Sequence, residues 1–230
     1  MVKHAKNFQQ SSRNHLVALS EHDSIAAEQY RTIRSNIRFS FVDSPLQSLV
    51  VTSAGPSEGK STTAANLAIV FANAGKRVLL VDGDLRRPTV AMTFDLPNVI
   101  GLSSLLIDQS RSYDDLIYKM SIDNLWILPS GPKPPNPSEL LASNRMETII
   151  NELSDVFDLV IFDMPPVVNV SDAQIVAARV DGTIFVVRER KTPKKQALKA
   201  QELLKLAKAN IVGVVYNGVS KNDKFDYYYY

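Results

Sequence analysis

The segment Ala54-Gly55-Pro56-Ser57-Glu58-Gly59-Lys60-Ser61-Thr62 carries the residue types that hold a phosphate chain. Its glycines let backbone N–H groups turn toward an anion. Lys60 supplies a point charge for the β- and γ-phosphates, and the Ser61 hydroxyl is suited to Mg²⁺. Ala54 stands where Gly is usual, so the match is to the relaxed form of the pattern. Gly55, Ser57, Glu58, Gly59, Lys60, Ser61 and Thr62 are therefore the candidate nucleotide-binding residues. Two acidic clusters add chemistry. In Val78-Leu-Leu-Val-Asp82-Gly-Asp84-Leu-Arg86-Arg87 the two carboxylates lie two residues apart and share one face of an extended chain. In Val160-Ile-Phe-Asp163-Met-Pro-Pro an apolar strand ends in the kind of Asp that anchors Mg²⁺ directly or through water. A single Asp at a strand end is equally a turn former or helix cap. One hydroxyl and three carboxylates on three strand ends point instead to an enzyme that handles a phosphoryl group.

Bringing these groups together requires strands that end side by side. Short apolar runs at 49–53, 77–82, 125–128, 159–163, 183–187 and 211–216 alternate with helical patterns at 24–41, 60–74, 137–156, 172–179 and 193–209. Continuous apolar strands separated by helices predict an α/β fold with a mostly parallel sheet covered on both faces. In such a sheet ligands sit at the carboxyl ends of the strands, where Ser53, Asp82, Asp163 and Asn217 all fall. Asn217 either contacts adenine or merely turns the chain, and its position alone does not choose. The Pro-rich piece 129–137 reads as a stiff loop on the same edge. Residues 1–23 read as a flexible arm, 24–219 as one domain and 220–230 as a flexible tail.

A chain of 230 residues, 45% hydrophobic and 22% charged, can bury one sizeable core. Its 26 basic and 24 acidic residues leave +2, which gives no reason to expect nucleic acid as a partner. With no cysteine, disulfides, thiolate metal sites and a Cys nucleophile are excluded, and a reducing cytosol fits. No run is long enough to span a membrane and no secretory signal opens the chain, so membrane association would have to come through a partner.

The three motifs together resemble the bacterial tyrosine kinases that regulate capsule and exopolysaccharide synthesis, which are built on a P-loop ATPase scaffold. The resemblance runs over about residues 24–230 and includes Pro134-Pro-Asn-Pro-Ser-Glu-Leu-Leu141. It implies a single P-loop NTPase-type domain that uses ATP and Mg²⁺. Lys60 and Ser61 would belong to the Walker A loop, Asp82 and Asp84 to the Walker A′ element, and Asp163 to Walker B. One of Asp82 and Asp84 would orient or deprotonate the acceptor tyrosine while the other joins Asp163 around Mg²⁺; with Asp84 as the second, the metal set is Ser61, Asp84 and Asp163. The chemistry has its own reason for a carboxylate there. A phenol with a pKa near ~10 is a poor nucleophile at neutral pH unless a base accepts its proton. The resemblance further implies a cytoplasmic enzyme recruited to the inner face of the plasma membrane by a transmembrane activator, whose cytoplasmic segment completes the site.

The tail chooses among P-loop enzymes. Tyr227, Tyr228, Tyr229 and Tyr230 are half of the eight tyrosines, placed after a charged spacer. On a mobile terminus they could reach an active site in the same or a neighbouring copy. The resemblance implies autophosphorylation of this cluster in trans, with other protein tyrosines as further substrates. Glu28, Arg31 and Arg34 are spaced to share a broad helix face. On spacing alone they are a solvated face; as part of the resemblance they match the Glu-x-x-Arg-x-x-Arg motif through which these kinases assemble into rings. The main rival is an ATPase switch of the chromosome-partitioning or division-site type, whose loop has an extra lysine where this chain has Gly55. A regulatory module that merely binds nucleotide is disfavoured by the intact Lys60, Asp82, Asp84 and Asp163. The lysines between 191 and 208 read as a solvated helix face rather than a lipid or partner surface.

Overall fold

The computed structural model describes residues 3–4, 16–20, 24–42 and 45–219. Its strands are β1 (Lys3–His4), β2 (Ser48–Ser53), β3 (Val78–Asp82), β4 (Tyr118–Lys119), β5 (Leu125–Leu128), β6 (Leu159–Asp163), β7 (Gly182–Arg188) and β8 (Ile211–Asn217). They form one sheet in the order β1-β4-β5-β3-β6-β2-β7-β8, parallel throughout except where β4 meets β5. Every residue of β2, β3 and β6 is buried, as expected for central strands covered on both faces. Helices α1 (Val17–Ser20), α2 (Ile25–Phe39) and α3 (Lys60–Ala72) lie against one apolar core. After the short α4 (Val90–Thr93), the helices α5 (Leu102–Ile107), α6 (Pro137–Ala142), α7 (Asn144–Val156), α8 (Asp172–Ala177) and α9 (Lys194–Leu206) cover the other face. Among the described residues no helix is long and apolar enough to cross a membrane.

The crossing of the sheet fixes the site. β3, β6 and β2 are adjacent and in register, with Asp82 opposite Asp163 and Val51 opposite Asp163 on the other side. Two acidic strand ends 81 positions apart in sequence thereby become neighbours beside the loop that leaves β2.

Two expectations are corrected. The helix expected over 137–156 is two helices. Ser143 is extended (φ −65°, ψ 156°) and its Oγ accepts the N–H of Met146, so it ends α6 and caps α7. The domain also starts before residue 24. Leu16 is fully buried, Ala18 packs in the α3 core, and the Ala18 N–H donates to Asn66 Oδ1 of α3 at 2.9 Å. Packing therefore extends back to Leu16 within the span read as a flexible arm.

Candidate active site

The loop between β2 and α3 is held open by braces from distant parts of the chain. Gly59 has φ +98°, and a Cβ there would sit 2.0 Å from Asn217 Nδ2, so glycine is required twice over. Asn217 Nδ2 donates to the Glu58 carbonyl at 3.1 Å, and Arg188 Nη1 to the Ser57 carbonyl at 3.2 Å. The Glu58 carboxylate turns inward: Oε2 accepts the Gly55 N–H at 3.0 Å and Oε1 accepts the Thr192 hydroxyl at 2.7 Å. Of the loop residues expected to bind nucleotide, Glu58 thus spends its side chain on shaping the loop. The first helical bond of α3 runs from Thr63 N to Gly59 O at 2.8 Å, so the N–H groups of Lys60, Ser61 and Thr62 begin the helix without helical partners. That is the arrangement an anion needs.

Lys60 joins the loop to the acidic strand ends. Its Nζ lies 3.1 Å from Asp84 Oδ2, 3.3 Å from Asp163 Oδ1 and 3.2 Å from Ser61 Oγ, and the residue is 9% exposed. Burial works to lower the Lys60 pKa, but the carboxylates of Asp163, Asp84 and Asp82 outweigh it and the net direction is upward. The ammonium is therefore fixed as a cation.

The three aspartates are not equivalent. Asp82, fully buried, receives three N–H groups: Thr89 and Val90 on Oδ2 at 3.0 and 2.9 Å, and Asp84 on Oδ1 at 3.2 Å. Burial first, and then the charge of Asp163, push its pKa up to about 7. Asp163, also fully buried, is pushed upward by burial against the pull of Lys60. Its Oδ2 has no hydrogen-bond partner. Asp84 points Oδ2 at Lys60 and takes the Arg87 N–H on Oδ1 at 3.0 Å.

The unpartnered Asp163 oxygen, the Asp84 carboxylate and the Ser61 hydroxyl fit a hard divalent cation. Among the described residues no three His, Cys, Asp or Glu side chains gather into a metal site. Mg²⁺ does not need such a cage, since it keeps waters and takes one or two carboxylates plus substrate phosphates.

On the far side of Asp84 a second set of side chains ties three loops together. Asp172, fully buried at the start of α8, accepts Arg86 Nε and Nη2 at 2.8 and 3.1 Å and the Ser138 hydroxyl at 2.6 Å. Arg86 Nη2 also reaches Ser138 Oγ at 2.9 Å. The loop after β3, the first turn of α6 and the first turn of α8 are thus clamped at one point. No short-range signal marks Asp172, and the Pro-rich motif that contains Ser138 gave it no role. Thr192, the brace on Glu58, was equally invisible.

The AAA domain family matches residues 52–192, more than half of the chain. Tyrosine-protein kinase YwqD of Bacillus subtilis (strain 168) is 46% identical over 225 residues, which cover 97% of this chain and 94% of YwqD. Putative tyrosine-protein kinase CapB of Staphylococcus aureus is 42% identical over 207 residues, 90% of each chain. The crystal structure of the chimerical protein CapA2B2 superposes with a TM-score of 0.86 at 41% identity, covering 96% of this chain and 95% of that one. The chain belongs to the bacterial protein-tyrosine kinases. Its fold is shared more widely. The septum site-determining protein MinD from Pyrococcus horikoshii, complexed with Mg-ADP, gives a TM-score of 0.63 at 25% identity over 76% of this chain and 72% of MinD.

In this kinase Lys60, Ser61, Asp82, Asp84, Asp163 and Asn217 converge on one edge, with Gly55, Ser57, Gly59 and Thr62 supplying main chain. Glu28, Arg31 and Arg34 lie apart from it on α2. Arg31 pairs with Glu28. Arg34 Nη1 donates to the Val70 carbonyl in the last turn of α3 at 2.8 Å, so it already has a role within one subunit. Tyr227, Tyr228, Tyr229 and Tyr230 lie outside the described residues.

Proposed function

We propose that this kinase transfers the γ-phosphoryl group of ATP to the tyrosines at 227–230 of a neighbouring copy and to other protein tyrosines. In this reading it acts at the inner face of the plasma membrane with a transmembrane activator and regulates capsular or exopolysaccharide synthesis. Ring assembly through the α2 face of Glu28, Arg31 and Arg34 brings the tail of one copy to the site of the next, and accumulated phosphate charge loosens the ring. The observation that carries the reading is Lys60 Nζ within 3.3 Å of both Asp84 and Asp163, beside an Asp82 whose pKa is pushed up to about 7. Phosphate loop, metal-type carboxylates and a proton acceptor matched to neutral pH are then within one another's reach.

The roles follow. The loop N–H groups and Lys60 bind the β- and γ-phosphates, and Lys60 exchanges its carboxylate partners for phosphate oxygens as nucleotide enters. Ser61, Asp84 and Asp163 would hold Mg²⁺, which would neutralise negative charge on the phosphates of the nucleotide. Asp82 takes the proton of the tyrosine hydroxyl as that oxygen bonds to the γ-phosphorus and the bond to the β,γ-bridging oxygen breaks, leaving ADP and phosphotyrosine. Asn217, beside the loop, contacts the adenine end of the nucleotide.

The test is intact-protein mass after incubation with ATP, Mg²⁺ and an activator fragment, with Lys60→Met as control. Added phosphates that map to residues 227–230 and fall about a thousandfold in rate in the control support the kinase cycle. ATP hydrolysis with no added mass overturns it in favour of an ATPase switch, the use made of the same fold in MinD.

A further inference from the structure

Arg86 and Arg87 are neighbours with opposite fates. Arg86 is consumed by the clamp, forked onto buried Asp172 and shared with Ser138. A bidentate guanidinium–carboxylate pair of this kind fixes orientation as well as charge. Arg87 is anchored through its main chain, with its N–H on Asp84 Oδ1 at 3.0 Å. Its side chain is exposed and has no partner among the described residues. A free cation is thereby presented on a rigid loop, one hydrogen bond from an aspartate of the active site.

We propose that Arg87 selects the acceptor, reading an acidic side chain immediately before the tyrosine. The inference rests on the reading above in which the acceptor enters at Asp82 and Asp84. Both are buried, at 0% and 4% exposure. A phenol that reaches them must insert its ring while the flanking residues of the peptide stay at the mouth, where Arg87 stands. The electrostatics give the selection its sign. Three carboxylates face one lysine here, so an acidic flank approaching the mouth is repelled unless a cation receives it. Arg86 cannot serve without abandoning Asp172 in the interior, which is costly. Arg87 can serve at no structural loss. The sequence supplies a matching acceptor, because Asp226 directly precedes Tyr227. The preferred substrate is a tyrosine preceded by Asp or Glu, so Tyr227 is favoured over Tyr228, Tyr229 and Tyr230, each of which follows a tyrosine.

The test uses the full chain with ATP, Mg²⁺, an activator fragment and peptides that carry one tyrosine preceded by Asp, Asn or Lys. Wild type is expected to favour Asp over Asn by about fivefold in kcat/KM, the size of a modest ion pair, and Asn over Lys, with the preference shrinking as salt rises. Arg87→Glu should invert the order so that Lys becomes the best of the three, and Arg87→Lys should keep it. A loop that merely lost its shape would slow all three peptides alike. Equal rates for all three peptides with wild type, or an unchanged order in Arg87→Glu, overturn the selection. Failure of wild type to phosphorylate any of the peptides overturns the acceptor-edge reading, and the selection with it.

Discussion

Two loops flank Lys60, and they are held by different means. The loop at 54–59 is fixed largely through its main chain: the Gly55 N–H and the carbonyls of Ser57 and Glu58 are the groups that its braces grip. The loop after β3 is fixed through side chains, with Arg86, Asp172 and Ser138 closing on one another. A main-chain cradle recognises a phosphate chain whatever enzyme it serves, which suits a fold that this kinase shares with MinD at a TM-score of 0.63. A side-chain clamp can be rewritten residue by residue. On the proposed reading, in which the acceptor enters beside the loop after β3, that is where a common nucleotide scaffold becomes a tyrosine kinase.

The sharpest way to separate the two halves is Asp172→Asn. It strips the carboxylate from a clamped arginine that keeps about a third of its side chain in water, and should cost about 2 kcal/mol of stability in denaturant melts. The comparison also demands that acceptor KM rise while nucleotide Kd, read by fluorescent-nucleotide titration, changes less than about twofold. Equal damage to both would mean that the halves are one unit. Gly59→Ala attacks the other half. A left-handed φ and a clash with Asn217 together should weaken nucleotide binding by about thirtyfold, roughly 2 kcal/mol, and on an Asn217→Ala background, itself weakened by loss of the brace, the same change should cost less by the part due to the clash.

Asp82 sits at the border, and its titration gives a pH test. Because its folded pKa is pushed up to about 7 from 3.8, between those values the folded chain keeps a proton that the unfolded chain has lost. Its contribution to stability is thus intact below pH 4 and lost as pH rises toward 7, with a slope of at most about 1.4 kcal/mol per pH unit. Asp82→Asn should flatten that segment of a denaturant-midpoint profile. The mildest prediction lies outside both loops. Arg34→Ala should cost about 1 kcal/mol in a dilute, unassembled sample, because it removes the cap on Val70. An unchanged midpoint would leave Arg34 to assembly alone.

The same contrast explains what could be read from sequence. The loop at 54–61, the aspartates closing β3 and β6, and the parallel order of the central strands were legible because each is written in a few consecutive residues. Apolar continuity in 78–82 and 159–163 reports burial on both faces, and burial on both faces implies the neighbours. The clamp was not legible, since Arg86 and Asp172 are 86 positions apart and the motif that contains Arg86 does not name its partner. The break at Ser143 was hidden by apolar periodicity that continues across it, although a serine cap was available to be seen. Leu16 opens the run Leu16-Val17-Ala18-Leu19, four apolar residues in a polar stretch and too short to show a period. Sequence reported what is local and periodic; tertiary hydrogen bonds decided the rest.

The brace from Asn217 to the phosphate loop also sets an order of events during synthesis. The loop is encoded near residue 55, but the group that steadies the Glu58 carbonyl and crowds Gly59 arrives only with the last strand of the sheet. A nascent chain can form β2 and α3 early, yet it cannot finish the cradle until Asn217 has left the ribosome and β8 has docked beside β7. The cradle is thereby completed only when the sheet is whole.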